Sequence, residues 1–124
     1  MWRCVVASIE ELQEGLRAFA RERNWEQFHH PKNLLLALTG EVGELSPLLQ
    51  WVSPEDFSAW RAAPENAERL RHELADCLAY LLYLADSLNI GLTDALEEKL
   101  RLNAERYPVD SCRVWALKYN HLEH

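Results

Sequence analysis

Leu34-Leu35-Leu36-Ala37-Leu38-Thr39-Gly40-Glu41-Val42-Gly43-Glu44 sets five apolar residues in a row ahead of two carboxylates spaced three apart. Residues three apart on a helix are neighbours on one face, so Glu41 and Glu44 stand side by side on a segment that is apolar around most of its circumference. Further along, Glu73-Leu74-Ala75-Asp76 repeats the spacing. This second pair interrupts an apolar face made of Leu70, Leu74, Cys77, Leu78, Leu81, Leu82, Ala85 and Leu88. Helices that are apolar on most sides are buried on most sides. Burying several carboxylates without compensation is costly, so the four acids call for a cation, a proton or basic partners. An oxygen-only donor set favours a hard cation, and Mg²⁺ in particular keeps waters and takes further ligands from phosphate oxygens. The competing explanation is that one pair is an ordinary charged helix face in solvent.

The rest of the chain supports helices. Of its 124 residues 48% are apolar, only four are glycine, and Ala, Leu, Glu and Arg are abundant. The length suits one compact all-α domain, expected over residues 1–121, with 122–124 reading as a tag remnant. A net charge of −7 argues against a protein that grips a nucleic acid polymer through its backbone. It leaves a nucleotide open, because a bound divalent cation turns the local field attractive to phosphate. Cys4, Cys77 and Cys112 form no C-x-x-C pair and cannot all pair with one another, which suits a reduced, cytoplasmic setting. Met1 to Val6 is too short for a signal peptide, and the apolar run Cys77 to Ala85 falls far below the ~18 to 20 residues that span a bilayer. No membrane association is expected.

Element boundaries follow from caps and breakers. Ser8 and Glu11 have capping-box spacing and open a first helix to about Arg23. An aromatic connector, Trp25 to Pro31, leads to a second helix from Lys32 or Asn33. Pro47 either breaks or kinks that helix, at ~3 kcal/mol in an ordinary interior, or restarts it with Ser46 as cap. Ser53-Pro54-Glu55-Asp56 reads as the start of a short connector helix, and Pro64 opens a long one reaching about Asn89, ended by Gly91. Tyr80, Tyr83 and Leu84 extend its apolar surface around the back. Thr93 or Asp94 caps a fourth main helix that stops before Pro108. The over-apolar second and third main helices predict a homo-oligomer that uses them as its interface.

Lys99, Asn103, Arg106 and Tyr107 place two cations, an amide and a hydroxyl on one helical face, a grip suited to phosphate oxygens. Glu98 and Glu105 could instead pair with those cations on a solvated face. Glu26-x-x-His29 mimics half of a di-iron motif, but no second E-x-x-H occurs.

Taken together, Trp25-Glu26-Gln27-Phe28-His29-His30-Pro31-Lys32-Asn33-Leu34, Glu41-Val42-Gly43-Glu44-Leu45, Gln50-Trp51, Glu73-Leu74-Ala75-Asp76 and the K-x-x-x-N-x-x-R-Y-P run from Lys99 to Pro108 resemble the dCTP-pyrophosphatase-like branch of the MazG-like all-α superfamily. The resemblance covers about residues 8 to 119. It implies a four-helix bundle with a short connector helix, completed by oligomerisation as a homodimer or homotetramer with pockets at subunit interfaces. It also implies hydrolysis of a nucleoside triphosphate between the α and β phosphorus atoms, as nucleotide-pool house-cleaning. The substrate expected is dCTP or a modified dCTP. Glu41, Glu44, Glu73 and Asp76 carry over as ligands of Mg²⁺, with Mn²⁺ as a substitute, and Glu41 or Glu44 activates water. Lys99, Asn103, Arg106 and Tyr107 would hold the triphosphate. Trp25 and Trp51 would stack on the base, with Phe28 and His29 shaping the pocket. The chain departs from the family pattern at Pro47 and, in the tail, at Val114 and Trp115, where relatives tend to have small residues. Rival readings are the same chemistry on dUTP or a damaged nucleotide, and a non-catalytic helical interaction module.

Overall fold

The structure, a computed structural model, describes residues 6–113. Six elements follow in order: α1 (Ile9–Glu22), a 3₁₀ turn (Glu26–Phe28), α2 (Pro31–Leu49), α3 (Phe57–Ala62), α4 (Pro64–Ser87) and α5 (Leu92–Arg106). Residues 109–113 are also helical, and no strand occurs among the described residues. The all-α expectation holds. The tail residues Val114, Trp115, Lys118 and Tyr119, the tag-like end and Cys4 lie outside the described residues.

Two compact units form, one up to Ile90 and one from Gly91 onward. Within the first, α2 packs along α4 more extensively than any other pair, and α1 and α3 each lean on α4. Its core is small: among the described residues, Ala20, Leu34, Leu48, Leu82 and Ala85 are the buried apolar ones. No helix among the described residues is long and apolar enough to cross a membrane.

The start of α1 follows its sequence. The Ser8 hydroxyl accepts from the Glu11 amide at 3.1 Å, and the Glu11 carboxylate accepts from the Ser8 amide at 3.5 Å. Helix α2 starts at Pro31, earlier than Lys32, because the proline at its first position has no N–H to satisfy and His30 Nδ1 accepts from the Lys32 amide at 3.2 Å. Pro47 does not end the helix, which runs through it to Leu49. Ser53 and Asp56 close a turn, the Asp56 amide donating to the Ser53 hydroxyl at 3.2 Å, and α3 begins only at Phe57.

Asparagine, rather than glycine, stops two helices. Asn24 and Asn89 take left-handed φ of 56° and 53°. The Trp25 amide then returns to the Ala20 carbonyl at 2.9 Å and the Ile90 amide to the Ala85 carbonyl at 3.0 Å, the six-to-one bond of a Schellman end. This corrects the expected role of Gly91, which sits at an ordinary φ of −77° as the N-cap of α5. Its carbonyl accepts from Ala95 at 3.0 Å, so α5 starts at Leu92 and neither Thr93 nor Asp94 is its cap.

Candidate metal centre

The packing of α2 along α4 joins the two acidic pairs. Carboxylate oxygens of Glu41, Glu73 and Asp76 all lie within 4.8 Å of one another. Glu41 and Glu73 are half-buried and Asp76 is exposed. Glu44, one helical turn beyond Glu41, is exposed beside this trio, and its carboxylate lies against those of both Glu41 and Glu73.

Electrostatics marks the site as under-compensated. Oε2 of Glu41 and Oε2 of Glu73 are buried without a hydrogen-bond partner, an arrangement that costs free energy unless something positive supplies the contact. Burial, followed by the charges of Glu44 and Asp76, pushes the Glu41 carboxyl up to about 6. Glu73 is also pushed up, by burial first and then by Glu44. The Cys77 thiol is raised by burial and by the carboxylates of Glu41, Glu73 and Asp76, which keeps it protonated and unreactive. Two orphaned buried oxygens in an all-carboxylate set are what a hard divalent cation would satisfy, and no basic side chain among the described ion pairs reaches these acids.

Glu73, Asp76, Tyr80 and Tyr83 fall three, four and three residues apart on the continuous helix α4, so they form one stripe. The expectation that Tyr80 and Tyr83 lie around the back is therefore revised: both are half-buried on the stripe that carries the acids. Their spacing was available in the sequence, but the surrounding leucines masked it. Along that stripe, Tyr83 meets His29, with ring centroids 4.5 Å apart.

The four aromatic candidates fall into two groups. Trp25, Phe28 and His29 lie on the connector between α1 and α2, where the Phe28 carbonyl accepts from Asn33 Nδ2 at 3.2 Å. Trp25 sets its ring edge against Phe19 at 5.6 Å, and the Arg23 guanidinium covers the Phe19 ring at 3.6 Å. Trp51 follows the opposite end of α2 and is 86% exposed. The 19 residues of α2 separate the groups by ~28 Å of helical rise. One chain therefore does not bring Trp25 and Trp51 together. Lys99, Asn103 and Arg106 lie on α5, in the second unit, and Tyr107 is its C-cap. Asn103 is half-buried and the other three are exposed, with Arg106 over the Tyr107 ring at 5.4 Å.

The chain is 44% identical over 117 residues to dCTP pyrophosphatase 1 of Bos taurus, covering 94% of this chain and 69% of that protein. It is 41% identical over the same length to dCTP pyrophosphatase 1 of Homo sapiens, with the same coverage. A crystal structure of a pyrophosphatase from Archaeoglobus fulgidus superposes with a TM-score of 0.74 at 32% identity, covering 87% of this chain and 99% of that one. The profile of the MazG-like family matches residues 39–122, the span that begins just before Glu41 and takes in α4 and α5. With both acidic pairs inside that span, the chain belongs to the MazG-like family.

Proposed function

We propose that the protein is a Mg²⁺-dependent pyrophosphohydrolase that cleaves dCTP or a modified dCTP between the α and β phosphorus atoms, releasing the monophosphate and pyrophosphate. The observation that carries this reading is the convergence of Glu41, Glu73 and Asp76 with two buried, partnerless oxygens. The relatives named above supply the substrate class. Asp76 and Tyr83 are ~10 Å apart along α4, of the order of a nucleotide's reach from its phosphates to its base. The stripe thus leads from the acids toward the aromatic connector.

Glu41, Glu73 and Asp76, with Glu44 at their rim, would hold Mg²⁺ or, as a substitute, Mn²⁺. When bound, the cation neutralises phosphate charge and makes water easier to deprotonate. Glu44 is the exposed member of the α2 pair, and it orients the attacking water and accepts its proton. Lys99, Asn103, Arg106 and Tyr107 donate hydrogen bonds to the triphosphate. Trp25 stacks on the base, with Phe28 and His29 shaping its pocket. Because α2 separates Trp25 from Trp51, the second stacking surface is Trp51 from another copy of the chain. Leu35, Leu36, Val42, Leu74, Leu78 and Leu81 remain exposed on α2 and α4, and a groove of about 460 Å³ lined by Val42, Leu45, Ser46, Leu49 and Gln50 runs beside the acid-bearing face of α2. These surfaces suit a homodimer or homotetramer. The free thiols of Cys77 and Cys112 suit a reduced, cytoplasmic setting.

A panel of nucleoside triphosphates incubated with Mg²⁺, with pyrophosphate and orthophosphate measured separately, tests the reading. Pyrophosphate release fastest from dCTP or a 5-substituted dCTP is expected. Orthophosphate as the product overturns the bond assignment, preference for dUTP overturns the base, and absence of turnover with any triphosphate overturns the activity.

A further inference from the structure

Tyr83 makes two contacts outside its own helix. Its hydroxyl donates to the carbonyl of Leu16, in the interior of α1, at 2.9 Å. Its ring lies 4.5 Å from the His29 imidazole, with the planes 56° apart. One turn further along α4, Asp86 accepts from Arg17 at 2.6 Å, so two successive turns of α4 are tied to neighbouring residues of α1. His29 is confined in turn: the preceding carbonyl, of Phe28, accepts from Asn33, and the following residue, His30, caps α2. The imidazole therefore rests against the Tyr83 ring, and that ring is fixed by a bond to a different helix.

We infer that Tyr83 is a positioning residue for base recognition: it seats His29 and so sets the affinity for the base without touching the triphosphate chemistry. This rests on the reading of His29 as part of the base pocket. An aromatic neighbour held by its hydroxyl restricts imidazole rotation, and a pre-oriented ring gives up less freedom when the base arrives.

The test compares Tyr83→Phe, which keeps the ring and loses the Leu16 bond, with Tyr83→Leu, which keeps bulk and loses the ring. Tyr83→Leu raises KM for dCTP about fivefold, the order of one aromatic pair, and leaves kcat within about twofold. Methyl triphosphate, which has no base, shows no change in KM. Tyr83→Phe restores most of the affinity. In a His29→Ala background, Tyr83→Leu adds no further loss, because the group it seats is gone. In the free protein, Tyr83→Leu shifts the His29 imidazole proton signals as the ring current is removed. Equal losses with dCTP and methyl triphosphate, or additive losses in the double variant, identify a merely structural tyrosine and overturn the inference. An unchanged KM for dCTP overturns it too. A wild-type chain that turns over no triphosphate overturns the reading of the reaction and the affinity half of this one, while the imidazole signals still decide whether Tyr83 seats His29.

Discussion

Glu41 holds its proton to about pH 6 because its carboxyl is half-buried beside Glu44 and Asp76. A carboxyl whose pKa is higher folded than unfolded binds protons more tightly in the native state, so its contribution to stability is greatest at low pH. Without metal, the melting temperature should therefore fall as pH rises from the ordinary carboxylate range through about 6. Added Mg²⁺ should reverse the fall, by about 2.7 kcal/mol at a hundredfold excess over Kd. Thermal unfolding across pH, with EDTA and with Mg²⁺, checks both limbs. Glu41→Gln should raise the metal-free melting temperature at pH 8, because it removes the crowded charge, and should lose both the Mg²⁺ shift and turnover. Glu44→Gln should keep much of the Mg²⁺ shift and lower kcat by roughly 10²- to 10⁴-fold. A Glu44→Gln enzyme with normal kcat would remove that residue from the proton-transfer role.

Helix ends and one interior proline set the elements. Asn24 and Asn89 are left-handed, a conformation that costs other L-residues roughly 1–2 kcal/mol and glycine little. Asn89→Val should lower stability by about that amount, whereas Asn89→Gly should be close to neutral, as measured by urea denaturation. Asn24 matters for function as well, since its turn places Trp25 over Ala20 and Phe19. Pro47 denies α2 the bond to the Gly43 carbonyl. Pro47→Ala should restore that bond and stabilise the protein by ~1 kcal/mol, less than the ~3 kcal/mol interior penalty because proline also restricts the unfolded chain. A loss of stability in Pro47→Ala would show that the proline shapes the end of α2 for packing.

At the scale of the molecule, the small buried core and the exposed leucines of α2 and α4 leave apolar surface uncovered, and the proposed assembly of copies would cover it. The separation of Trp25 from Trp51 gives a direct test. Trp25→Ala and Trp51→Ala should each weaken dCTP binding severely. If each pocket takes Trp25 from one subunit and Trp51 from another, mixing the two variants by refolding creates hybrids with one intact pocket, and random pairing in a dimer returns about a quarter of wild-type activity. No recovery on mixing would mean that a pocket draws both tryptophans from one subunit or needs only one of them.

The helical class, the capping box at Ser8 and the acid pairs were legible in the sequence, because each depends on residues within one or two turns of helix and on the 3.6-residue period. The ends of α4 and α5 were less so: glycine was the expected stop, yet an asparagine reached the left-handed region first and left Gly91 to cap the next helix. Pro47 was ambiguous because a proline's effect depends on whether tertiary packing holds the helix across it, and α2 has Leu48 buried just beyond. The sequence by itself determined that four carboxylates would stand in pairs on two over-apolar helices. Only the tertiary structure decided that Glu41, Glu73 and Asp76 converge with Glu44 beside them, that two of their oxygens are left without partners, and that Tyr83 meets His29. Those relations join residues far apart in the chain, and they follow from how α2 and the aromatic connector pack on α4, which no local period encodes.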